Sequence, residues 1–227
     1  MTSVLIAGAG LVGLSCALEL ATAGHRVTLI DRNVSVSAWN GSQGETRLLR
    51  TVYSESPDYV VLAQAALDRW LALEREAGTR LFIPTGLLEW GPANGALVRG
   101  SLKPAQHGAL QAYSAAEATR RFPRFRFPHG TIAIFDPSAG VLRARVILET
   151  LLARVQAAGV EVRWGETLRS LAAREGFVDV DLGGHRWRGD RAILAGGGWT
   201  SGMIGLPALS TRPIRHFFGR ESRERFR

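Results

Sequence analysis

The segment Ser3–Ala7 reads SVLIA, an apolar run without polar alternation, which predicts a short strand buried on both faces. GAGLVG follows at once, and Leu14–Ala23 (LSCALELATA) then carries helical character with Gly24 placed to stop it. His25–Ile30 is a second β-rich run and ends on Asp31. Strand, glycine turn, helix and strand make one βαβ unit of about thirty residues. Further on, Arg145–Ala158 predicts another helix with Gly159 as its stop, followed by a strand, a second βα element of the same kind. The pattern is that of an α/β protein, and no internal repeat interrupts it.

Gly8, Gly10 and Gly13 stand in GxGxxG spacing. In such a unit the first glycine allows the tight turn, the second lets the backbone approach a pyrophosphate, and the third lets helix pack on strand. The start of the helix offers unpaired N–H groups and a positive dipole end to phosphate. Leu11 and Val12, between the glycines, complete the turn as cofactor-binding candidates. Asp31, 23 residues after Gly8, is placed to accept hydrogen bonds from a ribose diol. With 26 glycines in the chain a bare GxGxxG carries little, and it is the register with strand, helix and terminal acid that points to dinucleotide binding. NAD and FAD present the same ADP half to this motif, so both remain open here; the acid at Asp31 disfavours NADP, whose 2′-phosphate it would repel.

Composition narrows the remaining classes. At about 150 residues per domain, 227 residues allow roughly one and a half domains. Hydrophobic residues at 46% are too many for wholesale disorder and enough for a substantial core. The net charge is +8, but six Arg against two Glu between Arg212 and Arg227 supply half of it. A cationic excess gathered in a polar terminal stretch reads as a solvated tail rather than a nucleic-acid face. Lys103 is the sole lysine, so arginine abundance reflects coding bias. The Arg-aromatic cluster from Arg120 to Phe127 mixes cations and rings as single-strand platforms do, but Pro123 and Pro128 break it, and nucleic acid is not an expected partner.

Cys16 is the only cysteine, which excludes an intrachain disulfide and a Cys-based zinc site, and it reads as a buried small side chain within the first helix. The five histidines show no ligand spacing, so no metal is expected. No apolar run approaches 18 residues and no positive segment precedes Val4, so neither a membrane span nor a signal peptide is expected, and the cytoplasm is the expected compartment.

The next segment carries a resemblance. Asn40–Tyr53 reads NGSQGETRLLRTVY, followed by SESPDYVVLAQAALDRWLALE. It resembles the flavin amine oxidases of the D-amino-acid-oxidase superfamily, in the monomeric sarcosine oxidase and N-methyl-amino-acid oxidase branch. There a Gly-Ser loop, Thr or Ser, and Arg-x-x-Arg open a helix after the second strand, and a Tyr-x-x-Leu helix carrying Trp follows. Gly41, Ser42, Gly44, Thr46, Arg47 and Arg50 match that pattern, with Tyr59, Leu62 and Trp70. Ile83–Pro92 resembles the family's Thr-Gly hairpin, and Arg121–Ala144 its Arg-aromatic-Pro segment and Phe-acid-Pro-x-x-Gly turn. GVEVRWGETLRSL resembles the strand returning near the adenine, and Ala192–Ile204 the strand and glycine turn that close the FAD site. The likeness runs from Met1 to about Phe218. Where many members carry His before the loop glycine, this chain has Gln43.

The resemblance implies a Rossmann-like FAD-binding domain at 1–79 and 138–206, with an inserted, incomplete α+β substrate domain at 80–137 and 207–218 and a polar tail at 219–227. It implies FAD as cofactor, a secondary amine such as sarcosine or another N-methyl amino acid as substrate, and oxygen as acceptor. Arg47 would lie against the flavin ring, and Arg50, at i+3 on the same helix turn, would grip the substrate carboxylate. Ser42, Gly44 and Thr46 would neighbour flavin and pyrophosphate. Leu168 would touch the adenine through its backbone, and Gly197 and Trp199 would mark the turn near the flavin. Arg32 either covers the adenine or is an exposed strand-end arginine. The family continues beyond the length of this chain, through a cysteine that tethers flavin in some members and a lysine implicated in oxygen activation. The chain is therefore expected to be a C-terminally truncated or frameshifted product. Two alternatives stand beside the oxidase: a non-catalytic fragment needing a complementing chain, and an NAD-dependent dehydrogenase.

Overall fold

The computed structural model describes residues 1–36, 41–42, 44–53, 56–102 and 110–205. Gln43, Lys103, the 207–218 segment and the 219–227 tail lie outside the described residues. In chain order the elements begin with β1 (Ser3–Ala7), α1 (Leu11–Thr22), β2 (Arg26–Asp31), β3 (Arg47–Leu49) and α2 (Pro57–Ala77). There follow β4 (Phe82–Ile83), β5 (Leu87–Pro92), α3 (Ala96–Ser101), β6 (Gln111–Ser114), α4 (Ala115–Arg121), β7 (Thr131–Asp136) and β8 (Gly140–Leu142). The last group is α5 (Ala144–Ala157), β9 (Glu161–Trp164), β10 (Ser170–Ala173), β11 (Val178–Asp181), β12 (Arg186–Gly189) and β13 (Arg191–Leu194). A 3₁₀ turn, Gly197–Trp199, and α6 (Thr200–Met203) complete it.

These elements form two compact units, Met1–Glu45 with the described residues from Ala144 on, and Thr46–Arg143. In the first, a four-stranded parallel sheet has the order β13-β1-β2-β9. β1 is internal, and Val4, Leu5, Ile6 and Ala7 are all buried, as an unbroken apolar strand requires. α1 packs beside α5. Gly24 and Gly159, just past these helices, hold φ of 82° and 78°, the left-handed conformation that ends a helix at low cost in glycine. Cys16 is half-buried on α1. The antiparallel meander β10-β11-β12 adds to the core, where Leu168, Val180 and Leu182 pack with Leu5, Ala7 and Ile30.

A polar tie closes this unit. The Ser3 N–H and hydroxyl donate to Asp190 Oδ2 at 2.6 and 2.7 Å, and Asp190 N–H donates back to Ser3 Oγ at 3.0 Å. The Ser3 backbone donor, seconded by the hydroxyl, holds the Asp190 carboxyl below its ordinary range.

The second unit holds two three-stranded sheets, β3-β8-β4 and β5-β7-β6, both antiparallel. Ser56 caps α2 by accepting from Asp58 N–H at 3.2 Å. At the other end Glu74 accepts from Leu81 N–H (2.7 Å) and Phe82 N–H (3.0 Å), tying α2 to β4. The Phe82 and Leu81 donors, in that order, hold the Glu74 carboxyl below the usual carboxylate range. With this tie α2 belongs by packing to the second unit. The packing boundaries, 45/46 and 143/144, thus differ from the 79/80 and 137/138 of the expected functional division.

Two local expectations are corrected. Arg47 and Arg50 do not share a helix turn: Arg47 begins β3, paired with Leu142 of β8, and Arg50 follows the strand's end. Pairing with a distant strand overrides the i, i+3 spacing, because a strand edge satisfies the backbone donors that a helix would otherwise have paired locally. Ile83–Pro92 is not a hairpin either. β4 pairs with β8 and β5 with β7, with Gly86 at φ 69° turning the chain between the two sheets.

Candidate functional site

The parallel strands β13, β1 and β2 end on one side, and their carboxyl ends open into a cleft of about 540 Å³ lined wholly by residues of the first unit. Ligands of open parallel sheets bind at such ends. At the centre, Gly8 has φ 116° and sits so close to the next strand's exit that a Cβ there would overlap the Ala195 carbonyl. Its N–H donates to Ile30 O at 2.8 Å. Gly13 serves packing from beneath: a Cβ on it would overlap the Gly8 carbonyl oxygen, so only glycine lets α1 start this close to the turn. Gly10 is different. A Cβ there would meet nothing nearer than Ser42 Oγ at 3.8 Å, so this glycine leaves space beside the first turn of α1.

Gly10 caps α1 without any side-chain hydrogen bond, and Leu11 N–H donates to Ser42 Oγ at 3.3 Å. Val12, though apolar, is 63% exposed on the cleft wall. Asp31 closes the neighbouring strand. Its Oδ2 accepts from Ala9 N–H at 2.8 Å, and its Oδ1 from the backbone and side-chain amides of Asn33, both at 2.8 Å. A carboxylate offers about four acceptor sites, so Oδ2 keeps capacity for one hydroxyl from the cleft.

The Arg32 guanidinium stacks over the Trp199 ring at 4.3 Å. Arg32 follows β2 and Trp199 follows β13, so this contact spans the end of β1 between them. The far wall is Glu166, Thr167, Leu168 and Arg169, which follow β9. Glu166 N–H donates to Asp31 O at 3.0 Å and Gly165 N–H to Asn33 O at 2.8 Å, fastening this wall to the end of β2.

Of the expected cofactor-binding residues, the cleft brings together Gly8, Gly10, Leu11, Val12, Asp31, Arg32, Ser42, Leu168, Gly197 and Trp199. Gly13 lies behind it. Gly44, with φ 102°, lies in the loop after Ser42, and Thr46, Arg47 and Arg50 belong to the second unit. There Arg47 Nη1 donates to Thr46 O at 2.9 Å. Arg50 stacks over the Tyr53 ring at 4.4 Å and lies 3.8 Å from Glu89 Oε1. Sequence reasoning missed Glu166, Arg169 and Met203 in the lining. The available signal was the strand Glu161–Trp164 itself: once it is paired parallel to β2, the residues after it must reach the same edge. Among the described residues, no group of His, Cys, Asp and Glu is arranged to hold a metal ion, and no helix is long and apolar enough to cross a membrane.

Comparison with known proteins follows the same outline. The family model described as DAO, FAD dependent oxidoreductase, matches residues 3–220. The N-methyl-L-tryptophan oxidase of Yersinia pestis (strain Pestoides F) is 27% identical over 217 residues, 95% of this chain and 58% of that protein. The chain therefore spans a little over half the length of this curated relative. Among solved structures, NikD, an unusual amino acid oxidase essential for nikkomycin biosynthesis, superposes with a TM-score of 0.77 at 27% identity, covering 90% of this chain and 54% of that one. Glycine oxidase from Geobacillus kaustophilus shares the fold, with a TM-score of 0.74 at 19% identity over 91% of this chain and 60% of that one.

Proposed function

The chain belongs to the DAO family of FAD dependent oxidoreductases, and on that premise we propose that its cleft holds the ADP half of FAD while the protein oxidises a secondary amine. The family match also decides between the two dinucleotides that the βαβ unit leaves open. One observation carries the reading: Gly10 leaves open space at the first turn of α1, beside a carboxylate with acceptor capacity at the end of β2. Pyrophosphate would lie against the α1 amides and the positive end of that helix. The ribose would meet Asp31. Gly8, Leu11, Val12, Ser42, Leu168, Gly197 and Trp199 would line the rest, with Arg32 and Trp199 covering the turn. Gly44 and Thr46 are proposed as further cofactor neighbours. In this reading residues 1–79 and 138–206 serve the cofactor and 80–137 the substrate.

When bound, FAD supplies the two-electron acceptor for a hydride leaving the carbon beside the amine. The chain's own contribution is binding and charge. Arg47 is permanently protonated and would supply fixed positive charge where the reduced ring becomes anionic. Arg50 would grip a substrate carboxylate through two parallel hydrogen bonds. Its guanidinium stacks on the Tyr53 ring and lies 3.8 Å from Glu89 Oε1, contacts that fix where it stands.

The substrate proposed is an N-methyl amino acid, with sarcosine and N-methyl-L-tryptophan as first compounds to try, and oxygen as the electron acceptor. The test is direct. The purified chain is expected to carry flavin absorbance, to bleach anaerobically with substrate, and to release peroxide in air. A colourless chain that takes up no FAD would defeat the cofactor assignment. A yellow chain that no N-methyl amino acid bleaches would defeat the substrate assignment alone.

A further inference from the structure

Glu89 stands in β5, a strand whose other positions are Leu87, Leu88, Trp90, Gly91 and Pro92, and it is paired opposite Ile134 of β7. Glutamate is a poor strand former, and successive residues of a strand point to opposite faces of its sheet. Trp90 packs against Phe125 and Phe127, with ring centres 5.9 and 5.3 Å away. Glu89 takes the other face, where its Oε1 lies 3.8 Å from Arg50 Nη1. At that distance the two atoms form an ion pair and not a hydrogen bond. The Tyr53 ring lies 4.4 Å from the same guanidinium. Both charged side chains keep access to solvent, Arg50 at 26% and Glu89 at 29%, so a small ligand that reaches one meets the field of the other.

An anion beside the cation that is to hold a carboxylate acts as an electrostatic filter. A ligand with a carboxylate alone brings a second negative charge toward Glu89, and like charges a few ångströms apart repel at a half-exposed site. An amino acid carries a cation one carbon from its carboxylate and meets Glu89 with the opposite sign. Resting on the carboxylate grip read for Arg50 above, we propose that Glu89 is a specificity-determining residue: it admits ligands with a cationic nitrogen next to the carboxylate and turns away plain carboxylates. Arg50 reads the carboxylate, and Glu89 reads the charge beside it.

Two ligands of the same shape isolate the effect. Trimethylglycine has a permanent cation, and its quaternary nitrogen cannot become an imine; 3,3-dimethylbutanoate has carbon in place of that nitrogen. Their dissociation constants are read by ligand-observed NMR on the purified full chain supplied with FAD. The wild type is expected to hold trimethylglycine roughly tenfold more tightly or better, as suits charges a few ångströms apart at a half-exposed site. Glu89→Gln should bring the two within about threefold, by tightening 3,3-dimethylbutanoate, loosening trimethylglycine, or both. Glu89→Ser should do the same and keeps the test decisive if the first variant unfolds. A wild type without preference, or a preference unchanged in both variants, overturns the role of Glu89. So does equal weakening of both ligands in the variants, since Glu89 would then only hold Arg50 in place. In those cases the Arg50 grip stands as long as Arg50→Lys weakens both ligands. Affinities that Arg50→Lys leaves unchanged, or a wild type that binds neither ligand, overturn the grip and this proposal with it.

Discussion

The two units use charge in opposite ways. In the first, Gly8 and Gly13 mark places where backbone meets backbone, and the charged groups Asp31, Arg32 and Glu166 gather around an open cleft. In the second, a deeply buried acid is absorbed by its own fold: Asp136 Oδ2 accepts from Thr51 Oγ1 at 2.7 Å and from Thr51 N–H at 3.3 Å. Glycine does not divide the units in this way: in the second, a Cβ on Gly140 would overlap the Ile83 carbonyl, while one on Gly91 would meet only Leu97 and Val98, at 3.8 and 4.0 Å. The lesson is that charged groups left around an open cleft mark the candidate ligand site here, whereas a buried, fully engaged acid marks architecture.

The largest effect is expected from a paired substitution, one glycine set against main chain and one in open space. Gly13→Ala forces a methyl into the Gly8 carbonyl and is expected to destabilise the protein by about 3 kcal/mol or more in urea unfolding. Gly91→Ala should instead stabilise it by about 0.5 kcal/mol. Equal effects would erase the distinction. Next, Asp136→Ala strands the Thr51 donors and should cost about 2 kcal/mol in the same assay, while leaving ADP affinity within about twofold. Arg50→Lys tests the proposed carboxylate grip. We expect KM for an N-methyl amino acid to rise roughly tenfold to a hundredfold, since an ammonium cannot make the paired contact, with FAD content and unfolding midpoint unchanged.

Acid sensitivity gives a smaller, two-sided test. Asp190 in the first unit and Glu74 in the second both have carboxyls held below their unfolded values by backbone donors, of Ser3 and of Phe82 and Leu81 respectively. A depressed carboxyl stabilises the fold while pH stays above the unfolded value of about 4, and that contribution is lost as pH falls through the lower folded value. Asp190→Asn or Glu74→Gln should each flatten the loss of stability below about pH 4. The smallest effect is expected at the exposed pair Arg188–Asp179, 2.7 Å apart: Arg188→Ala should leave the urea midpoint where it is.

What could be read from the chain alone follows the range of the interactions. The βαβ unit was legible because its strand, turn, helix and acid are contiguous, and each glycine answers a local demand. Ser42 came through its loop and not through the turn, yet joins it by the bond to Leu11 N–H. The helical spacing of Arg47 and Arg50 misled, because β3 is made by β8, about ninety-five residues away in Leu142, and a local pattern does not carry a distant partner. Ile83–Pro92 misled for the same reason: its two strands find separate mates. Glu166 was invisible as a cleft residue because only the pairing of Glu161–Trp164 with β2 brings it to the edge.

The position of β1 has a consequence for synthesis. Its neighbour β13 runs from Arg191 to Leu194, and the clasp between Ser3 and Asp190 spans nearly the same separation. At about 5–20 residues per second, β1 of a nascent chain waits about 10–40 s on the ribosome with one flank bare. The glycine turn is thus made long before the strand that completes its surroundings. An aggregation-suppressing chaperone should act on this chain before, and not after, its hundred-and-ninetieth residue emerges.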